Sequence, residues 1–258
     1  MNQSITSCEI AFKKCFSKWA ETDQLIRFSD PELPDMYDHN MTLIKTHGMT
    51  TIDIETCILA EFKNASENGA AFSKCICDKF IDESSLGTLP GEPSITHYGF
   101  YLLDCSRVEE WKENVECKTR IAASHQDIED LLTLELANYG EERGEDFCTR
   151  RVNRIGEIFL SPGRIDACLI YHDEELAGKC DLFLHKSTAK IEDFDVKTDL
   201  RKQYIGTTLL KSVVKDALNR GADEIYLVTD EDDTVKDMYR NLGFERVDVW
   251  TEFFWGTI

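Results

Sequence analysis

An amphipathic helix with a cationic start constrains the fold of this chain more than any other feature. The stretch DLRKQYIGTTLLKSVVKDAL, residues 199–218, places apolar side chains at helical spacing from Ile205 to Ala217. Arg201 and Lys202 stand where this helix begins, and a helix N-terminus already carries positive partial charge. Cations are unfavourable there unless an anion joins them, and unpaired N–H groups at a helix start bind phosphate well. The stretch therefore predicts a phosphate-binding loop followed by a helix that packs on a sheet.

The composition indicates a folded protein with one large domain or two of ordinary size. Of the 258 residues, 42% are hydrophobic, and no apolar run approaches the roughly 18 residues that a membrane span requires. The first residues also lack the apolar stretch of a signal peptide, so we predict a cytoplasmic protein without a membrane partner. The ten cysteines are scattered and contain no C-x-x-C pair. We therefore expect free thiols and no metal site.

The chain is strongly acidic. Asp and Glu number 49 against 29 Lys and Arg, which gives a formal net charge of −20. Nucleic acid requires clustered positive charge, so we expect no nucleic-acid partner. The acidity is compatible with a cationic substrate and equally with solubility alone. A monomer and a homodimer both stay open.

The order of the predicted elements changes near residue 115, which predicts two domains, residues 1–115 and 116–258. The first half is typical of a helix, a strand, a second helix and two further strands. The second half follows the order β-α-α-β-β-β-α-β-α-β, in which Ser124 begins a capping box and Gly140 ends the same helix. This order predicts an α/β protein of the α+β kind, with a mixed sheet and helices on both faces.

Two short motifs follow one another in the second half. RKQYIG, residues 201–206, joins a strand to the amphipathic helix, and DMYRNLGF, residues 237–244, leads into the last strand. With the element order, they resemble the GNAT superfamily of acyl-CoA-dependent N-acyltransferases over residues 117–254, whose acyl-CoA signature is Gln/Arg-x-x-Gly-x-Gly/Ala. Tyr204 stands where the signature has its first glycine, and Asp232 stands where the family often has asparagine. These departures favour an alternative function, a non-catalytic module that senses acyl-CoA or mediates interactions.

The resemblance implies an enzyme, an N-acetyltransferase that moves an acetyl group from acetyl-CoA to a primary amine of a small molecule or peptide, without a metal ion. Tyr239 matches the family's tyrosine that protonates the departing thiolate, and core packing is the alternative role. Glu192 matches the strand glutamate of similar diamine and polyamine acetyltransferases. It is the expected base unless a neighbouring Lys or Arg satisfies it. The implied cofactor-binding residues are Phe194, Asp195, Val196, Arg201, Lys202, Gln203, Tyr204, Ile205, Gly206, Thr207 and Asp232.

Carboxylates cluster on the strand before the first motif. Alternation along KIEDFDV, residues 190–196, places Glu192 and Phe194 on one face and Asp193 and Asp195 on the other. Three carboxylates beside the presumed thioester would concentrate a cation, so we expect a cationic acceptor.

The first half shows one sign of the same fold. Its Gly99-Phe100 pair resembles Gly243-Phe244, which supports the hypothesis that residues 1–115 are a degenerate GNAT-like copy without a cofactor loop. The family's last strand normally pairs with one more strand, whereas this sequence ends shortly after VWTEFFW. Exposed apolar edges invite aggregation, so we expect the first half to cover that edge.

Overall fold

The computed structural model describes residues 2–161, 163 and 165–256. Its helices are α1 (Gln3–Phe16), α2 (Thr51–Glu67), α3 (His125–Arg143), α4 (Glu145–Phe159), α5 (Ile205–Asn219) and α6 (Val235–Asn241). Its strands are β1 (Lys18–Glu21), β2 (Leu25–Ser29), β3 (Met41–Ile44), β4 (Phe72–Cys77), β5 (Ser94–Leu103), β6 (Lys118–Ile121), β7 (Asp166–His172), β8 (Glu175–His185), β9 (Thr188–Val196), β10 (Glu224–Asp230) and β11 (Phe244–Gly256). Short 3₁₀ turns lie at Glu83–Ser85, Cys105–Glu110 and Thr198–Leu200.

The strands form one mixed sheet in the order β1-β2-β3-β4-β11-β5-β10-β9-β8-β7-β6. β3 runs parallel to β4 and β9 runs parallel to β10, and the other neighbouring strands are antiparallel. One apolar cluster joins α1, α3 and α4 to one face of the sheet, and another joins α5 to the opposite face. The predicted fold class, a mixed sheet with helices on both faces, is therefore confirmed.

Each half of the chain places one strand inside the other half's part of the sheet. β5, from the first half, lies between β10 and β11, and β11, from the end of the chain, lies between β4 and β5. Along β5, Phe100 pairs with Val228 on one side and with Asp248 on the other. The first half thus covers the edge beside the last strand, as the sequence predicts. The two halves share one continuous sheet.

Both halves also repeat one arrangement. The antiparallel strands β1-β2-β3 are followed by α2 and the parallel strand β4, and β7-β8-β9 are followed by α5 and the parallel strand β10. This repetition supports the hypothesis of an internal copy. In the first copy, the buried carboxylate of Asp78 accepts hydrogen bonds from the backbone N–H and the hydroxyl of Thr46, at 2.7 and 2.6 Å. That contact ties the end of β4 to the loop after β3, where a cofactor loop would otherwise lie.

Local signals predict some boundaries and miss others. The capping box at Ser124 is confirmed, but the prediction that Gly140 ends the helix is wrong. α3 continues to Arg143 because Gly144, at φ +84, supplies the conformation that ends a helix. β1 was not predicted, because all four of its residues are exposed and it shows no alternation of apolar and polar residues.

The buried cysteines are free thiols, as expected: Cys8, Cys75, Cys77, Cys148, Cys168 and Cys180. They pack in the core as small apolar groups. Among the described residues, no helix is long and apolar enough to cross a membrane. The same residues include no group of three or more His, Cys, Asp or Glu that could hold a metal ion.

Candidate active site

The parallel strands β9 and β10 separate halfway along their length. Their pairing runs only from Thr188 opposite Glu224 to Ile191 opposite Leu227. Residues 192–196 of β9 therefore have no backbone partner on β10 in the described chain. Because a strand edge presents free N–H and C=O groups, this stretch is open to an extended ligand. It contains three of the predicted cofactor-binding residues, Phe194, Asp195 and Val196.

A β-bulge interrupts β9 at this point. Asp193 has φ +49, and the register with β8 shifts there, so that Asp193 and Phe194 together oppose one residue of β8. Glu192 stays on the face of Lys190, whose ammonium lies 2.7 Å from its carboxylate. Phe194 turns to the α5 face, where a Cβ on Gly206 would lie 2.8 Å from its ring. The prediction that Glu192 and Phe194 share a face is wrong, because alternation fails at a bulge.

The loop before α5 leaves its backbone donors open. Tyr204 is the N-cap residue in the left-handed conformation, at φ +62, and no side chain of the described residues caps the first turn. The N–H groups of residues 205–207 have no intrahelical partner at such a helix start. With the positive partial charge of the helix end, they form a site suited to phosphate. Tyr204 adopts the conformation that the signature glycine would adopt, and its side chain is 49% exposed.

The predicted cations flank this loop. Arg201 donates from Nε to the carbonyl of Val196 at 3.1 Å, and its Nη2 lies 3.4 Å from Asp195. Its side chain remains 54% exposed, so the guanidinium can still contact a ligand. Lys202 is exposed, and the carbonyl of Gln203 accepts a hydrogen bond from the side chain of Asn114 at 3.2 Å. The contact with Asn114 fixes the loop against the segment that links the two halves.

Tyr239 lies on α6, close to the point where β9 and β10 separate. Its ring centroid is 6.5 Å from that of Phe194 and 5.7 Å from that of Phe244, so the packing role predicted as an alternative is present. Within the described residues its hydroxyl makes no hydrogen bond. Burial raises the pKa of Tyr239 above its ordinary value, and nearby Cys180 and Glu192 raise it further. The hydroxyl is therefore protonated at neutral pH and free to donate.

Sequence and structure comparisons agree with this geometry. Residues 126–244 match the model of the acetyltransferase (GNAT) family. The chain contains a GNAT domain. A search of curated proteins found no significant match.

Solved structures with a similar fold cover both halves. A functionally unknown conserved protein from Staphylococcus epidermidis ATCC 12228 matches with a TM-score of 0.77 at 19% identity, over 94% of this chain and 95% of that chain. A GCN5-related N-acetyltransferase from Kribbella flavida matches with a TM-score of 0.67 at 13% identity, over 98% and 94%. A tandem GNAT protein from the clavulanic acid biosynthesis pathway matches with a TM-score of 0.59 at 14% identity, over 90% and 78%. At these identities the likeness shows the fold, which is GNAT-like over nearly the whole chain.

A pocket of about 350 Å³ lies beside the loop of the GNAT domain. Tyr204 and Thr207 line it together with two cations that sequence reasoning missed, Arg107 and Lys112. Lys112 Nζ lies 5.5 Å from the centroid of the Tyr204 ring. Both cations precede the second half in sequence, so no motif marks them. Asp232 is exposed in the loop between β10 and α6, where its N–H donates to Asp230 at 2.8 Å.

A larger cavity of about 770 Å³ opens on the other face of the GNAT domain, between α1, α4 and the strands of both halves. Glu192 and Val228 line it from the two sides of the β9/β10 separation. Glu192 is 37% exposed and shares the buried ammonium of Lys190 with Glu9, each carboxylate lying 2.7 Å from Nζ. A neighbouring lysine thus pairs with Glu192, which was the alternative to a catalytic base, yet the carboxylate still reaches the cavity.

The other two strand carboxylates are not free. Asp193 is bound by the guanidinium of Arg151 at 2.6 Å and by the ammonium of Lys179. Asp195 accepts from the amide of Asn138 and from the backbone N–H of Val196. The expectation that three carboxylates together concentrate a cation is therefore wrong, because Asp193 and Asp195 are each held by protein donors.

One carboxylate at the cavity was missed by sequence reasoning. Asp181 on β8 lies directly opposite Glu192 on β9 and lines the same cavity. The available signal was its place in AGKCDLFLH, where a charged residue interrupts an apolar strand. A buried charge in such a strand is costly unless it is paired or functional.

Proposed function

We propose that the protein is an N-acetyltransferase that transfers an acetyl group from acetyl-CoA to a primary amine. One observation carries this proposal: the open N-terminus of α5 and the unpaired edge of β9 adjoin one another. A ligand with phosphates at one end and an extended amide-bearing arm at the other would engage both. Coenzyme A has this construction, and membership of residues 126–244 in the GNAT family supports it as the donor.

The loop would hold the pyrophosphate of the donor. The N–H groups of residues 202–207 would surround it, and Arg201 and Lys202 would neutralise the remaining charge. The backbone of residues 194–196 would pair with the pantetheine arm as an additional strand does. Gly206 supports this arrangement because its missing side chain leaves room for Phe194 beneath the helix. Asp232 would border the arm near the thioester.

Acid and base groups lie on opposite sides of the strand separation. Glu192 faces the cavity, whereas Tyr239 lies on the α6 side. Burial is the main cause of the raised pKa of Tyr239, and the charge of Glu192 adds to it. In the proposed reaction, Glu192 accepts a proton from the attacking amine, directly or through water, as the C–N bond forms. The C–S bond then breaks, and the Tyr239 hydroxyl gives its proton to the departing thiolate.

Tyr204 favours a second candidate, a non-catalytic module that binds acyl-CoA or a partner. A left-handed residue other than glycine costs about 1–2 kcal/mol, and its side chain stands where backbone normally approaches phosphate. The two candidates differ in turnover. Calorimetric titration with acetyl-CoA and with desulfo-CoA measures binding, and thiol release with a panel of amines measures transfer. Binding without thiol release would favour the module, and absence of binding would contradict both acyl-CoA roles.

Arg201→Ala is expected to weaken acetyl-CoA binding about 10- to 100-fold, because charge-assisted contacts to phosphate are the stronger sort. Calorimetry at fixed ionic strength measures the change. The matched control is Arg220→Ala, at the opposite end of the same helix, which should leave affinity unchanged. Equal affinity in the Arg201 variant and the parent would place the pyrophosphate elsewhere.

A further inference from the structure

The cavity of about 770 Å³ has walls of two kinds. Its volume is within the range of sites that enclose small molecules. One wall is apolar and largely aromatic, and it includes Phe12, Phe28, Met41, Phe100 and Trp250. Phe28 and Met41 belong to the first half of the chain, so that half shapes the wall. Such a surface stabilises a ligand that carries apolar area of its own.

The lining also carries Asp181 and Glu192, side by side on β8 and β9. Asp181 is only 4% exposed, and its Oδ1 accepts no hydrogen bond from the described residues. The closest cation is the ammonium of Lys179, at 3.7 Å, which is bound to Asp193 instead. A buried carboxylate oxygen without a donor is costly, and few native proteins keep one without a reason.

The other buried carboxylates at the cavity each have a lysine ammonium within 3 Å. Glu9 lies 2.7 Å from the ammonium of Lys190, and Glu252 lies 2.8 Å from that of Lys74. Each of these two carboxylates is already paired with a cation of the protein. Among the buried carboxylates of the lining, Asp181, beside Glu192, is therefore the one left open to a further cation, and the aromatic side chains offer apolar contact.

We propose that the acceptor is an amphiphilic primary amine, whose ammonium is held by Asp181 and Glu192 and whose bulky apolar or aromatic part packs on Phe12, Phe28, Phe100 and Trp250. This assignment rests on the proposed function and deepens it by naming the substrate class. The ammonium would supply the donors that Asp181 lacks. It would also lie beside the β9/β10 separation, where Glu192 and Val228 border the presumed thioester.

Binding of the amine should depend on pH, because Asp181 must be ionised to pair with an ammonium. The groups that face this carboxyl are Lys179 on its own strand, Glu192 and Asp193 on β9, and Arg151 on α4. Burial is the largest influence and raises the pKa of Asp181 to about 7, although Lys179 and Arg151 oppose it. A protonated carboxyl cannot pair with an ammonium. Amine binding should therefore weaken about tenfold as the pH falls from about 8 to about 6.

The test is calorimetry on the full chain with three probes. They are 2-phenylethylamine, which has an ammonium and an aromatic ring, spermidine, which has ammonium groups and no ring, and 3-phenylpropionate, which has a ring and a carboxylate. Phenylethylamine is expected to bind at least about tenfold more tightly than either of the other probes, because it alone among the three has an ammonium for the carboxylates and a ring for the aromatic side chains. Asp181→Asn keeps the shape and removes the charge, so it should weaken phenylethylamine binding about 10- to 100-fold and flatten its pH dependence. Asp173→Asn, in the exposed turn between β7 and β8, is the matched control and should change neither.

Folding of the variant is checked separately by thermal denaturation. The pKa of Asp181 is higher in the folded than in the unfolded chain, so its ionisation costs stability as the pH rises from about 4 through about 7. Asp181→Asn removes that cost and should be at least as stable as the parent at pH 8. If the variant is at least as stable as the parent but does not bind the amine, the loss of binding is due to the missing carboxylate and not to unfolding.

Three results would overturn the assignment: no phenylethylamine binding to the parent, equal binding in Asp181→Asn, or equally tight binding of spermidine or phenylpropionate. The proposed function fails differently. If phenylethylamine binds as expected but releases no thiol from acetyl-CoA, the amine site stands and the transferase does not. If acetyl is transferred only to polyamines, the transferase stands and the amphiphilic acceptor does not.

Discussion

Tyr239→Phe is expected to lower the turnover number about 10²- to 10⁴-fold while acetyl-CoA affinity stays near that of the parent. The substitution removes one hydroxyl, and the ring contacts with Phe194 and Phe244 survive. The size of the effect follows from general acid catalysis, since the thiolate would otherwise leave without a proton. Steady-state thiol release measures the turnover, and calorimetry measures the affinity.

The pH profile separates this role from simple packing. Because burial holds the pKa of Tyr239 above the ordinary value of about 10, the parent should keep its activity on the alkaline side up to about that pH. Tyr171→Phe is the matched control, since its hydroxyl donates to Asp130 at 3.0 Å, outside the site. Turnover of the Tyr239 variant equal to that of the control would assign the proton to water or to another group.

Residues 116–258 expressed alone are expected not to fold as a stable monomer. In the intact chain β5 lies between β10 and β11 and pairs with both. Without the first half, β10 loses one neighbour and β11 loses both β4 and β5. Long unpaired edges with apolar faces aggregate or pair with other chains. Circular dichroism and size-exclusion chromatography should therefore show an unfolded or associated fragment.

Cleavage of the folded protein is the control for this experiment. Val115 is 94% exposed in the segment between the halves, so a protease site introduced there should be cut without disturbing the sheet. The two pieces should stay associated and retain the thermal transition of the parent. If the 116–258 fragment is monomeric and unfolds cooperatively, the second half does not need the shared sheet in order to fold. That result would instead support the predicted boundary near residue 115 as a boundary between independent domains.

Local features of the sequence were enough to predict the loop and helix start where we propose that phosphate binds. The apolar face of α5, the cations at its start and the glycine at 206 all act within one turn of the chain. The order of the second-half elements also gave the fold class, since each has a clear period of 2 or 3.6. These predictions succeeded because the relevant interactions lie close together in sequence.

The acceptor side could not be predicted in the same way. The bulge at Asp193 places Glu192 and Phe194 on different faces of the strand. No residue in KIEDFDV predicts the left-handed conformation of Asp193. The cavity wall comes from α1, β2 and β3, far from β8 in sequence, so Asp181 looked like one acid among many. The first half was expected to cover the edge of the last strand, but the insertion of β5 between β10 and β11 was not, because it depends on pairing with two distant strands.

Acetyl transfer is measured most directly by incubating the protein with isotopically labelled acetyl-CoA and 2-phenylethylamine. Mass spectrometry then detects the acetylated amine, and thiol titration measures the released coenzyme A. An acetyltransferase should form one N-acetylated amine for each thiol released, at a rate that falls at least about a hundredfold in Tyr239→Phe. A panel of other primary amines run in parallel extends the test to the whole class. Saturable acetyl-CoA binding with no acetylated product from any amine of the panel would contradict an acetyltransferase and leave a binding module in its place.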